Sequence, residues 1–327
     1  MAKSGTQVRS GKAFEYALAE QYYKYLRSQG LSVKLLKDDK FLVAQKYYEG
    51  FSPQEQLLYD LSAKASIPTI IKLEPGLISQ QDETDVLTIR LAGDSMGEDG
   101  DVRDIIFSRS LSGWEMGFSA KNNNDAVKHS RLSMNIDFGK KWLGYNVSTS
   151  YWEKIKPIFE KLEKYRSQGW RWEDLGIAKF KDVYVPILKA FMCELLKLDN
   201  KYQDVPQKLI QYLIGEKPFY KIIKDDNSHV IVVKAFNIGG ELNQQVNGCA
   251  PQYKTKHIEM PSRIVEIDFM TNNKVKNENT LDLIMDGGWE ISFRIHNAST
   301  LVEPSLKFDV RLLGNPPVLF TQYIFQE

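Results

Sequence analysis

Apolar side chains at Phe14, Leu18, Tyr22 and Tyr25 recur at near-helical spacing, which predicts a helix over residues 11–28 with Ser10 as its cap and Gly30 as its stop. A second helix is expected from residue 51, where Ser52 precedes Pro53 and Glu55 stands close to a capping-box place, with Tyr59 and Leu61 on its core side. Residues 86–91 then read as a strand, and residues 100–109 and 114–121 as two more, joined by a tight turn at Ser110–Gly113. On the last of these the period of two puts Trp114, Met116, Phe118 and Ala120 on one face, and Glu115, Gly117, Ser119 and Lys121 on the other. A helix is expected to open at Asn124 or Asp125, carrying Lys128 and Arg131 on one face with His129 at their edge, while Ala126, Val127 and Leu132 pack inward.

Residues 139–172 interleave basic and aromatic side chains, and 151–165 fit an amphipathic helix lying on a core. Residues 186–198 read as a buried helix in which Cys193 is a packing residue. Beyond about residue 205 the texture turns to strands. Residues 220–223 and 230–233 flank an Asp225–Ser228 turn as a hairpin, and four strands follow near 264–269, 280–285, 289–295 and 306–312. Helix first, then strands, then helix again predicts an α/β (α+β) fold, a mixed central sheet flanked by helices with a β-rich C-terminal region. The expected division is a core with helical additions over residues 1–200 and a β-rich part over 201–327.

Composition narrows the function less than the pattern does. With 327 residues, 43% of them hydrophobic, the chain can bury a sizeable core. A net charge of +1 leaves any nucleic-acid contact to local patches. Cys193 and Cys249 make no disulfide framework or zinc spacing, and His129, His229, His257 and His296 are scattered. No apolar run reaches membrane-spanning length and no signal segment opens the chain, so a cytoplasmic protein without a membrane partner is expected. The acidic loop over residues 92–101 fails as an EF-hand, because Met96 and Asp99 stand where an oxygen ligand and a glycine are needed; Asp101 is kept as an accessory group.

Asp104 interrupts an apolar strand, Ile105-Ile106-Phe107, beside a strand that ends in Lys121 on its polar face. A carboxylate among apolar neighbours is expensive unless it is paired or holds a metal. Such a pair suits metal-assisted phosphodiester hydrolysis: the aspartate offers hard oxygen to magnesium, and the lysine neutralises charge on the phosphate and orients water.

These residues carry a resemblance. Arg103-Asp-Ile-Ile-Phe107 followed by Ser119-Ala-Lys121 resembles the PD-(D/E)xK nuclease motif. The runs 115–122, 126–132, 289–298 and 303–309 resemble the HaeIII-type restriction endonucleases more narrowly, and touch both halves of the chain. The resemblance implies a restriction-endonuclease core with a C-terminal part given to DNA recognition. It also implies a type II endonuclease that cuts double-stranded DNA at GGCC between the central G and C, leaving blunt ends and using Mg2+. A cognate DNA methyltransferase is its functional partner, and the symmetry of the site favours a homodimer.

One position departs from the motif: Ser119 stands where its second acid belongs. Glu115 shares the strand face, but in a regular strand its Cα lies roughly 20 Å from that of Lys121. Glu15 is the better source. By itself it is a first-turn glutamate favoured by the helix dipole; the resemblance brings a glutamate in a Gly-x-x-x-Glu setting to the metal, and Gly11 and Glu15 match it. The expected site is therefore Asp104 and Glu15 as metal ligands, Lys121 acting on water and phosphate, Ser119 completing it, and Glu115 and Asp101 in reserve.

Lys128, His129 and Arg131 are expected along the DNA backbone, where they position without reading. Arg263, Arg294, His296 and Asn297 have the chemistry for base edges, and each serves equally well as a surface or turn residue. Two other readings fit the same residues: a structure-selective repair nuclease using Asp104 and Lys121, and a non-catalytic DNA-binding protein, which Ser119 favours.

Overall fold

The computed structural model describes residues 3–93, 100–123, 126–128, 130–272 and 275–325. The chain forms two compact units, residues 1–125 with 215–258 and 318–327, and residues 126–214 with 259–317. It passes between them after 125, 214, 258 and 317, and the boundary expected at residues 200/201 lies inside the second unit.

The first unit opens with α1 (Lys3–Ser28), β1 (Val33–Leu35), α2 (Asp39–Glu49), α3 (Pro53–Leu73), β2 (Leu87–Leu91), β3 (Ile105–Arg109) and β4 (Trp114–Asn122). The chain then supplies β5 (Ala126–Lys128), β6 (Arg131–Ser133), α4 (Thr149–Ser167), α5 (Val185–Lys201) and α6 (Val205–Ile214) to the second unit. It returns to the first for β7 (Phe219–Asp225) and β8 (Val230–Phe236), and to the second for β9 (Ile264–Asn272), β10 (Val275–Met285), β11 (Glu290–His296) and β12 (Ser305–Gly314). β13 (Phe320–Phe325) closes the first unit.

Helix α1 begins at Lys3, so Ser10 lies inside it rather than capping it. Arg9 holds this extra turn: its guanidinium stacks on the Phe51 ring at 4.6 Å and donates to the Gly50 carbonyl. The capping box of Ser52 and Glu55 forms as expected, whereas Leu61 is 47% exposed and not core.

The sheet of the first unit runs β1-β2-β3-β4-β7-β8-β13, parallel at β1–β2 and β4–β7 and antiparallel elsewhere. Helix α1 covers the Met116–Phe118–Ala120 face, where Tyr22 meets Phe107 and Phe118 edge-on at 5.5 and 5.1 Å. Burying Arg109 would be costly without partners. Its guanidinium donates to the carbonyls of Gly76, Asp85 and Leu77 at 2.7, 2.7 and 3.0 Å and faces the Asp85 carboxylate at 3.3 Å. Gly76 must be glycine here, since a Cβ would stand 2.3 Å from the Trp114 ring.

In the second unit the antiparallel order is β5-β12-β11-β10-β9, with β6 also paired to β12. Phe191 of α5 packs on Phe293 and Phe308 of the sheet at 5.4 and 5.2 Å. Cys193 lies on the opposite side of α5 and is exposed, which corrects its assignment to the core. The helix expected from residue 124 is absent among the described residues: 126–128 and 131–133 are strands, because β12 offers an unpaired edge that these short segments satisfy. Leu132 is still buried, opposite Leu306. The hairpin β7–β8 belongs to the first unit's sheet and not with the C-terminal strands, and β13, which the pattern did not reveal, pairs with its edge. The result is a mixed α/β chain with a mixed central sheet flanked by helices and a β-rich C-terminal region.

Candidate active site

The last β3–β4 pair is Ile105 with Phe118. Asp104, one residue ahead of β3, prolongs the ladder through its own backbone: its N–H donates to the Phe118 carbonyl at 2.6 Å and its carbonyl accepts from Ala92 at 2.8 Å. Its side chain turns back onto β4, where Oδ2 accepts from the Ala120 N–H at 2.7 Å and from Ser119 Oγ at 3.4 Å. Lys121 Nζ stands 3.6 Å from the same oxygen, both side chains about one-quarter exposed. Asp104 thus precedes the apolar strand rather than interrupting it, and its carboxylate stands beside the lysine.

Glu15 joins them from α1. It is 6% exposed, and burial together with the charge of Asp104 pushes its carboxyl up to about 8, with Lys12 and Lys121 opposing the rise. Lys12 Nζ donates to Glu15 Oε2 at 3.0 Å. Lys12 escaped the sequence reading, though its position three residues before Glu15 puts both on one helix face. Lys221 escaped it too: it lies directly across from Ser119 in the β4–β7 register and is 3% exposed.

The reserve acids go elsewhere. Arg103 Nη1 donates to Glu115 Oε1 at 2.8 Å, while its Nε and Nη2 hold Asp101 at 2.8 and 2.6 Å. Burial works to raise Asp101, and the hydrogen bonds and charge of Arg103 outweigh it and keep the carboxyl below its ordinary range. Glu115 sits opposite Ser108, at the far end of β4 from Lys121.

A family model described as HaeIII restriction endonuclease matches residues 11–316. The chain belongs to the HaeIII restriction endonuclease family. It is 40% identical over 311 residues, 95% of each chain, to the type II restriction enzyme HaeIII of Haemophilus aegyptius. No solved structure matches it. The chain is thus a HaeIII-family type II restriction endonuclease.

In this HaeIII-family chain the residues expected on DNA fall mostly in the second unit. Lys128 Nζ donates to the Tyr212 carbonyl at 2.9 Å and lies 3.8 Å over its ring, and His129 is outside the described residues. Arg131 is exposed, 3.2 Å from Ser305 Oγ and 3.9 Å from Glu303. Arg263 is exposed just ahead of β9, its backbone N–H on Asp286 at 3.3 Å. Arg294 pairs with Asp309 at 3.0 Å. His296 is half-buried, and desolvation holds its imidazole below the ordinary range. Asn297 ties a loop together, accepting from Lys179 and Tyr184 at 2.8 and 3.3 Å and donating to the Ser299 carbonyl at 2.7 Å.

The donor set at the site fits a hard divalent cation, though no group of three His, Cys, Asp or Glu side chains is gathered among the described residues. The charge of Asp104 raises Glu15 even against the opposing charges of Lys12 and Lys121, a repulsion that a divalent cation would relieve. Magnesium keeps several of its waters and needs only one or two protein carboxylates.

Proposed function

We propose that the enzyme hydrolyses both strands of duplex DNA at GGCC with blunt ends, using Mg2+ held by Asp104 and Glu15. When bound, magnesium supplies Lewis acidity toward the phosphodiester and lowers the pKa of water. The protein's groups do the rest. Ser119 Oγ and the Ala120 N–H fix the orientation of the Asp104 carboxylate. Lys121 Nζ neutralises a non-bridging phosphate oxygen and orients the attacking water. Lys12 and Lys121 lower the cost of ionising Glu15. The observation that supports this reading is the nearness of Asp104 to Lys121 and its electrostatic influence on Glu15, which would supply from α1 the acid that the motif lacks at Ser119.

GGCC is what the resemblance to the HaeIII-type restriction endonucleases implies. A palindrome cut on both strands favours two identical sites, as a homodimer would provide. A methyltransferase of the same specificity would protect the host's sites, and the enzyme would act in the cytoplasm beside them.

Incubating purified protein with a plasmid of known sequence, with and without magnesium and beside Lys121→Ala, tests the reading. Discrete magnesium-dependent fragments ending inside GGCC, lost in the variant, are expected. Smearing or junction-only cutting would point to a repair nuclease. Intact plasmid with DNA still bound would point to a non-catalytic binder.

A further inference from the structure

The outer face of the second unit's sheet is divided by charge. On β12 Leu306, Phe308 and Val310 are fully buried, so the alternating Lys307, Asp309 and Arg311 point away from that core. On β11 Ile291, Phe293 and Ile295 are buried and Arg294 and His296 share the outer face. Register sets Arg131 opposite Lys307, Lys307 opposite His296, and Asp309 opposite Arg294. Three adjacent strands thus make one basic patch. In the other direction, Asp282 of β10 lies between Ser292 and Asp268, with Glu290 and Glu266 two register pairs along on the same face. Crowding is felt on both sides. Burial and then Glu290 and Glu266 push the Asp282 carboxyl up to about 6, while burial and then Arg131 hold the Lys307 ammonium down.

Within the basic half, Asp309 organises two guanidiniums. It is 7% exposed and takes Arg294 Nη2 at 3.0 Å and Arg311 Nη2 at 3.4 Å. Both arginine side chains remain about half exposed, at 50% and 54%. Each therefore gives one nitrogen to a shared, buried anchor and keeps further N–H donors turned outward. An arginine so tethered loses less rotamer freedom on binding and presents its planar fork in a fixed direction. Arg131, one strand pair away, is held differently, 3.2 Å from Ser305 Oγ and 3.9 Å from Glu303.

We infer that duplex DNA lies on this basic half, with Arg294 and Arg311, aimed by Asp309, reading guanine and with Arg131 and Lys307 on phosphates. The inference rests on the GGCC reading above. A guanidinium fork matches guanine O6 and N7, and each GGCC half-site offers two adjacent guanines on one strand. Phosphates are repelled from the acidic half, so Glu290 at the start of β11 and Asp282 on β10 bound the footprint.

The test is fluorescence anisotropy, with calcium in place of magnesium, on three duplexes: one with GGCC, one with it scrambled, and one with 7-deazaguanine in its place. Arg311→Ala and Arg294→Ala should each weaken GGCC binding roughly tenfold or more and leave the scrambled duplex nearly unchanged. Asp309→Asn should lose discrimination with its circular-dichroism melt still cooperative. Removing guanine N7 should weaken the wild type but add little to Arg311→Ala. Lys307→Ala should weaken both duplexes alike and reduce the slope of log affinity against log salt by about one. Equal losses on both duplexes in the arginine variants overturn guanine reading. Wild-type affinity in all variants, or no DNA binding by the wild type, overturns the face itself. A wild type that binds both duplexes equally instead refutes the GGCC reading, while Lys307→Ala still decides the face.

Discussion

Glu15 on the first helix and Asp104 ahead of β3 are electrostatically joined: the charge of Asp104 adds to burial in lifting the Glu15 carboxyl to about 8. Helix α1 and the segment leading into β3 thereby bring two carboxyls within electrostatic reach from positions about ninety residues apart in sequence. The pairing also makes the site a source of instability when no cation is bound.

That instability has a defined sign. An acid whose folded pKa is raised contributes most below its unfolded value, here near 4.5, and the contribution is lost as pH climbs toward 8. Glu15→Gln removes this dependence. Between pH 5 and 9 in chelator, the melting temperature of the wild type should fall relative to the variant, by the equivalent of a few kcal/mol. Parallel melting curves across that range would refute the buried-acid account.

Lys121→Ala should lower magnesium-dependent cleavage by roughly 10²- to 10⁴-fold with duplex affinity retained. Ser119→Ala should lower it less than about tenfold, because the 3.4 Å hydroxyl contact is the weaker restraint on Asp104 and the 2.7 Å contact from the Ala120 N–H persists. Single-turnover rates beside binding curves separate the two effects. An equal loss in both variants would make Ser119 a direct participant.

Arg103 and Glu115 should separate by stability. Arg103→Met strands the buried Asp101 carboxylate and should cost roughly 3 kcal/mol in urea unfolding. Glu115→Gln, at a position 37% exposed, should cost under about 1 kcal/mol and leave cleavage within a few-fold of wild type. Lost cleavage at full stability in Glu115→Gln would return that acid to the site.

Lys128 and Arg131, adjacent in expectation, should part company in practice. Lys128→Ala loses the Tyr212 ring and carbonyl and should lower stability by about 1 kcal/mol with little change in DNA affinity. Arg131→Ala should do the reverse, and paired melts and salt-dependent binding curves would show it.

Much of the core was legible because local patterns carried it: the stripe of Phe14, Leu18 and Tyr22, the Ser52–Glu55 box, and the alternation from Trp114 to Lys121 each depend on near neighbours. Asp104 and Lys121 were legible too, since an acid leading into an apolar strand beside a lysine-tipped hairpin strand has few structural uses. Glu15 needed a family likeness to be singled out, because a glutamate in a first turn has an ordinary explanation.

The rest was decided by contacts distant in sequence. Residues 126–133 became strands only because β12 presented an open edge to them, and β7, β8 and β13 joined the first sheet through pairings that no periodicity encodes. The sequence by itself determined the acid and the lysine, the helices that bury an apolar stripe, and the strands that alternate. The tertiary structure alone decided which strands became neighbours, that Arg103 engages both Glu115 and Asp101, and that Asp309 stands between Arg294 and Arg311. The physical reason is range: helix and pleat periods arise from backbone geometry within a few residues, whereas burial and charge act on whatever side chains the fold brings together.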